Sequence, residues 1–363
     1  MESKLMTVFF RLLRSGLWER PLESELGLPL SSVEWEQLYR IAISQTVEGI
    51  LFDAINILNP SFLPSRDLLF RWAVRVEKIE QRNKLLNSII VDQTLLFRQL
   101  KLKPILLKGQ GIMSCYVNPM RRIGGDIDWY FGGAAGYKVA NKAIEFLGES
   151  LHYDASQSAC YIWNKVDIDH HKKLFDNHNP FINDYLRKLE SIHGTDEIII
   201  NGQSVSVLSP VLNIVQVNLH ILKHQLSFGI GLRQLCDAAR LYYCYRELLD
   251  NHEIYQIFVN LGIIRWIYCF HEVLTSFIGL RGDCLPFKAK KEQSIAWMID
   301  EIWQSGNFGF YDARYGVETD LSKGRNQKAR RVSTNLYRYF KYAPMEAIWF
   351  PIIQTYTRYC VKQ

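Results

Sequence analysis

The chain has 363 residues, with 43 Lys and Arg against 37 Asp and Glu and a formal net charge of +6. Hydrophobic residues make up 48% and charged residues 22%, the composition of an ordinary soluble globular protein with room for two or three domains. That mild charge suits a protein that handles anions such as phosphates and falls short of a nucleic-acid-binding signature; no apolar run is long enough to cross a bilayer.

The first twenty residues, MESKLMTVFFRLLRSGLWER, interrupt a short apolar patch with arginines and read as an amphipathic helix rather than a secretory signal. Ser31 and Glu34 form a capping box that opens an apolar-periodic segment, VEWEQLYRIAISQTVEGILFDAINIL. The turn NPSFLPS (59–65) ends it, and a long helical pattern free of Pro and Gly then runs to about Leu100 as a spine. At Lys103 the character changes. KPILLKG is a short buried strand, GQGIMSCYVN a brief helix, and GGDIDWYF a second strand with Asp126, Asp128 and Tyr130 on one face and Ile127, Trp129 and Phe131 on the other. A helix follows the GGAAG turn, residues 152–175 read as a hairpin or strand pair, and EIIINGQSVSVL turns at Asn201-Gly202. Ser209-Pro210 caps and begins a further helix, in which Asn213, Val217, His220 and His224 share a stripe. Helical patterns continue to the C-terminus. KGRNQKARR (323–331) reads as a solvated loop between helices, and the aromatic tail from Leu336 to Cys360 as a core-packing helix pair interrupted by Pro344 and Pro351. The predicted organisation is a helical region over 1–100, an α/β core over 101–210 and a helical region over 211–363. The seven cysteines are odd in number, scattered and without a CxxC pair, so a reducing, cytoplasmic compartment is expected and a disulfide framework is not.

Carboxylates two apart on a strand project to one side and can reach one cation or an adjacent pair. Asp126 and Asp128 have that spacing beside Gly124 and Gly125, which leave room for a ligand near the backbone. KVDIDHHKKLF repeats the grammar, with Asp167, Asp169 and His171 on one strand face. If the two strands are neighbours, three or four carboxylates surround one spot, an arrangement suited to two Mg2+ ions in phosphoryl or nucleotidyl transfer. Lys108, Gly109 and Gly111 sit at a strand-to-helix junction where backbone amides could hold a phosphate chain. His171 reads equally as a substrate contact, a metal neighbour or an exposed polar residue. His220 and His224 have the i, i+4 spacing of a zinc pair, but Ile221 stands where an HExxH protease needs glutamate, so zinc is not expected. Arg233 and Asp237 are one helical turn apart, and an ion pair between them is the default.

Together, LLKGQGIMSCYVNPMRRIGGDIDWYF and VDIDHHKKLF resemble the uncharacterised nucleotidyltransferase family of the polymerase-β-like superfamily, whose members often occur among bacterial capsular polysaccharide genes. The matching residues are Leu107, Lys108, Gly109, Arg122, Gly125, Asp126, Ile127, Asp128, Asp169 and His171. Downstream, HILKHQLSFGIGLRQLCDAARL is similar to the family's H-x-x-x-H…R-x-x-x-D segment through His220, His224, Arg233 and Asp237. The resemblance implies an α+β fold, a small mixed-sheet core flanked by helical regions on both sides. It implies transfer of a nucleoside monophosphate from an NTP to a hydroxyl on a sugar, small metabolite or protein. Mg2+ or Mn2+ would be held by Asp126, Asp128 and Asp169, with Asp169 preferred to Asp167, and Lys108 and Arg122 would contact phosphate. The chain departs from the wider superfamily at Lys108-Gly109-Gln110-Gly111, where a Gly-Ser or Gly-Gly pair is usual. That departure keeps a catalytically inactive nucleotide- or partner-binding protein as the alternative; no nucleic-acid partner is expected.

Overall fold

The computed structural model describes residues 4–22, 24–25, 27–154, 157–288, 295–312, 314 and 321–360; within the last stretch, side chains are described for 331–357. Four helices open the chain: α1 (Lys4–Trp18), α2 (Ser32–Ser44), α3 (Glu48–Ile55) and α4 (Arg66–Gln99). The capping box forms as expected: Glu34 N–H donates to Ser31 Oγ at 3.3 Å, and Ser31 N–H donates to Glu34 Oε2 at 2.7 Å. The periodic segment after it is two helices rather than one. Gln45 accounts for the break: its amide donates to the carbonyls of Ile302 and Trp303 and accepts from Leu232 N–H, tertiary bonds that override local periodicity. At 34 residues, α4 is about 50 Å long and crosses both halves of the molecule.

A mixed seven-stranded sheet follows, larger than the few strands expected. Its strands are β1 (Ile105–Leu106), β2 (Ile127–Tyr130), β3 (His152–Tyr153), β4 (Ala159–Trp163), β5 (Val166–His171), β6 (Thr195–Ile200) and β7 (Gln203–Leu208), in the order β3-β4-β5-β2-β1-β7-β6. Between them lie α5 (Lys108–Gly111), α6 (Ala134–Phe146) and α7 (Asn183–His193). Asn201 and Gly202 both have positive φ, 48° and 79°, so the predicted Asn-Gly turn joins β6 to β7. Asn164 and Lys165, at 48° and 64°, do the same between β4 and β5.

The last stretch comprises α8 (Pro210–Leu226), α9 (Leu232–Tyr245), α10 (Asn251–Asn260), α11 (Ile264–Ser276), α12 (Ala296–Ser305), α13 (Leu321–Phe340) and α14 (Pro344–Cys360). Pro210 occupies the first turn of α8 as expected, but the Ser209 hydroxyl makes no cap bond. KGRNQKARR is helical, inside α13, and not a loop; its last residue, Arg331, is buried against Asp312 and Glu301, at 3.4 and 3.7 Å. The other side chains of that run lie outside the described residues.

Strand alternation divides the apolar interior in two. Ile127, Trp129, Ile168, Val205 and Val207 pack with Leu86, Ile90 and Phe97 of α4 and Ile144 of α6 on one face. The opposite face, through Leu107, Tyr130 and Leu208, joins a larger core containing α1–α3 and α8–α14, so both helical regions share one core. A continuous chain of hydrogen bonds crosses the first of these cores. Trp129 Nε1–H donates to Gln93 Oε1 (2.7 Å), Gln93 Nε2–H to the Tyr161 hydroxyl (3.0 Å), that hydroxyl to His170 Nε2 (3.1 Å), and His170 Nδ1–H to Asn141 Oδ1 (2.7 Å). The direction follows from Trp being donor-only and His170 being neutral, its pKa pushed down to about 3 by burial.

His271 on α11 is fully buried between the rings of Tyr242 and Phe287, and burial pushes its pKa down to about 3 as well. The folded chain refuses a proton that the unfolded chain takes up near 6.5, so this contribution is intact above that pH and declines as pH falls toward 3. His271→Phe removes the titration at similar volume. Relative to wild type, the variant should gain about 2 kcal/mol of stability between pH 7 and pH 5, read from urea unfolding. An unchanged difference between the two proteins would exclude a neutral buried imidazole.

Candidate active site

Strand β2 pairs in parallel with β5, setting Asp128 opposite Asp169 and Tyr130 opposite His171. The two carboxylates and the imidazole each offer a ligand atom, all within 4.8 Å of one another. Asp128 is buried at the centre. His171 Nε2–H donates to its Oδ1 at 2.7 Å and the Lys108 ammonium approaches the same atom at 3.0 Å. Burial alone would raise the Asp128 pKa, but Lys108 and then His171 outweigh it and hold the carboxyl well below its ordinary value. Asp169 goes the other way: burial first and the neighbouring Asp128 next push it up to about 6. Lys108 is raised, because Asp128, Asp126 and Asp176 overcome the effect of burial.

These groups line one side of a cleft of about 800 Å3. The opposite wall comes from the last turns of α8, held by Asp176 in the loop after β5. Asp176 accepts from Lys223 Nζ at 2.6 Å and from His220 Nδ1–H at 2.7 Å. Burial, followed by Lys108, lowers the His220 pKa to about 4, so its imidazole is neutral. His220 packs edge-on to His224 at 4.5 Å, and His224 in turn meets the Phe308 ring at 4.7 Å. Phe310, Asp312 and Arg331 extend this wall toward the C-terminal helices.

The floor is tied by a buried ion pair. Arg122 Nε and Nη2 donate to the two oxygens of Asp237 at 2.7 and 2.8 Å, and the Tyr116 hydroxyl donates to Asp237 Oδ1 at 2.6 Å. Arg233 therefore does not pair with Asp237, because Arg122 occupies that carboxylate. Its Nη1 donates instead to Ile123 O at 3.0 Å, and its Nε has no partner among the described residues.

Of the residues singled out from sequence, the cleft brings together Lys108, Gly109, Arg122, Gly125, Asp126, Asp128, Asp169, His171, His220, His224, Arg233 and Asp237. Gly111 is not among them: it is buried, and a Cβ there would lie 2.9 Å from Leu106 O, so its small size serves packing. Gly124 is also a packing glycine, against Leu86 and Asn83, whereas Gly125 faces open space. Asp126 is exposed at the cleft and is not one of the three residues whose atoms lie within 4.8 Å of one another. Asp167 is exposed, opposite Ile162 of β4, and does not line the cleft. Asp154, Asp176, Lys223, Phe308, Asp312 and Arg331 were missed. Lys223 had a signal, lying between two histidines already placed on one stripe; the others come from loops or from the C-terminal region, where nothing local marks them.

A family model described as uncharacterised nucleotidyltransferase matches residues 31–278, well over half of the chain. The chain belongs to that family. No curated protein matches it. Among solved structures, an antigenic nucleotidyltransferase-like protein from Paracoccidioides brasiliensis is similar over 54% of this chain and 93% of that one, at 12% identity. The TM-score is 0.33. Among the described residues, no helix is long and apolar enough to cross a membrane.

Removing one partner of the floor pair leaves a buried charge without compensation, a loss of about 3–5 kcal/mol. Arg122→Ala and Asp237→Asn should each lower the urea midpoint strongly, and the double variant should lose far less than the sum. Additive losses would show that the two side chains are not coupled.

Proposed function

We propose that the protein transfers a nucleoside monophosphate from an NTP to a hydroxyl acceptor, with a divalent cation, Mg2+ or Mn2+, held by Asp128, Asp169 and His171. The observation that supports this reading most is the parallel pairing of β2 and β5, which sets two carboxylates and an imidazole around one point of the cleft. Two of the three donors are carboxylates, which suit Mg2+ and Mn2+, and a cation beside Asp169 would relieve the repulsion and burial that raise its pKa. The ion would supply positive charge against the phosphate oxygens. Asp126, exposed in the same cleft, would join Asp128 in holding a second cation.

The chain's own residues account for the rest. Asp169 accepts the proton of the acceptor hydroxyl, the hydroxyl oxygen bonds to the α-phosphorus, and the bond to the bridging oxygen breaks to release pyrophosphate. Lys108 and Arg233 place positive charge along the triphosphate, and Gly125 lets it approach the backbone. Arg122 spends three of its N–H groups on Asp237 and the Ile123 carbonyl, so we assign it to positioning the Gly125–Asp126 segment ahead of phosphate contact. The α8 wall and the Phe308–Asp312 segment leave the acceptor its side of the cleft.

One observation favours a second reading, a catalytically silent binding protein. Lys108 already neutralises Asp128, and no serine follows Gly109. Calorimetric titration with each NTP and Mn2+ separates the two. Wild type and Asp167→Asn should bind nucleotide in a metal-dependent manner, while Asp128→Asn and Asp169→Asn should lose at least about tenfold in affinity, roughly 1.4 kcal/mol. Pyrophosphate release with an acceptor present then identifies the enzyme. Nucleotide binding indifferent to Mn2+ and to these substitutions would sink the transferase proposal.

A further inference from the structure

Helix α9 carries a feature that the proposed transfer does not use. Arg240, one turn beyond Asp237, donates from Nε to the carbonyl of Cys115 at 2.7 Å. Its guanidinium lies over the rings of Trp18 and Tyr243, 5.0 and 5.2 Å from their centroids, which fixes it in place. Cys244 is a further turn along the same helix face, at i+4 from Arg240, and so is carried toward the segment that Arg240 grips. The Cys244 thiol interacts with the Cys115 thiol, and the Tyr245 hydroxyl also interacts with Cys115. Cys115 is buried and Cys244 is exposed.

An exposed thiol beside cations, backed by a second thiol within reach, is the arrangement of a reactive cysteine and its resolving partner. The electrostatics select Cys244 over the rest. Its interaction with Cys115, together with Arg240 and Arg246, brings its pKa down to about 7 against the opposing effect of burial. Burial raises the pKa of Cys160, Cys236, Cys269 and Cys284, and Cys115 is raised by its interaction with Cys244 and by burial. Among the described cysteines, Cys244 is the one shifted toward thiolate.

We infer that Cys115 and Cys244 form a redox-modification site, in which mild oxidation by hydrogen peroxide joins them in a disulfide. The Cys244 thiolate attacks one peroxide oxygen, the O–O bond breaks, and sulfenic acid forms with release of hydroxide. The Cys115 thiol then attacks the sulfenic sulfur, and its proton leaves with the sulfenic oxygen as water, while the proton that Cys244 gave up on ionising neutralises the hydroxide. In sum, two S–H bonds are lost, one S–S bond forms, and peroxide is reduced to two waters. The cross-link lies behind the cleft. Cys115 follows the Lys108–Gly111 turn, next to Tyr116, whose hydroxyl holds Asp237, so the bond would tie the turn bearing Lys108 to the helix bearing Arg233 and Asp237.

The test treats the folded full-length protein with hydrogen peroxide, alkylates the remaining thiols, and maps peptides by mass spectrometry without reduction. The expected product is a Cys115–Cys244 cross-linked peptide that dithiothreitol abolishes, with two alkylatable thiols lost per chain. Cys244→Ser, at an exposed position, should fold, give no cross-link and leave Cys115 reduced. The inference is overturned if Cys244 ends as a sulfinic acid or remains unmodified while Cys115 stays free, or if Cys115 pairs with another cysteine. Nucleotide does not enter the measurement, so its outcome is separate from that of the transferase proposal.

Discussion

The cleft depends on keeping one carboxylate charged inside the protein. An ionised aspartate removed from water costs several kcal/mol unless partners compensate. Asp128 has two partners on one oxygen, Lys108 from the turn after β1 and His171 from β5. Both reach it because β2 lies between β1 and β5 in the sheet. Move β5 by one residue and Ile168 or His170 would face Asp128's neighbours instead, since strand side chains alternate. Sheet order, register and the charge state of the site are therefore one constraint seen at three scales.

The rest of the molecule supports that constraint from two directions. On one face of the sheet, α4 and α6 supply apolar contacts and the polar chain from Trp129 to Asn141. Two of its members sit beside cleft residues in sequence: Trp129 follows Asp128, and His170 lies between Asp169 and His171. On the other face, the Arg122–Asp237 pair fastens the loop before β2 to α9 across 115 positions of sequence. Helices from the two ends of the chain meet in a common core there, which explains why so much helix surrounds the sheet.

Much of this was legible in the sequence where the signal is local. Alternation in GGDIDWYF and KVDIDHH placed the carboxylates on one face, and the Asn201-Gly202 turn was readable from its chemistry. Partner choice was not. Arg233 is spaced to meet Asp237, yet Arg122 takes that carboxylate from 115 positions away, and only tertiary packing decides between them. For the same reason Gln45 breaks a well-patterned helix, and Arg331 leaves a run of basic residues to be buried. Gly124 and Gly125 look alike in sequence but differ in use, because a Cβ would collide with α4 at the first alone.

The hydrogen-bond chain behind the sheet has a consequence for traffic rather than stability. Every bond along it runs in one direction, from the Trp129 indole to the Asn141 amide oxygen, and the His170 imidazole near its end resists protonation. Such a chain has no vacancy to receive a proton and no acidic member to release one. The wall behind Asp128 and Asp169 is in effect an insulator. Any proton gained or lost by those carboxylates must pass through the open side of the cleft, the same side through which a ligand enters.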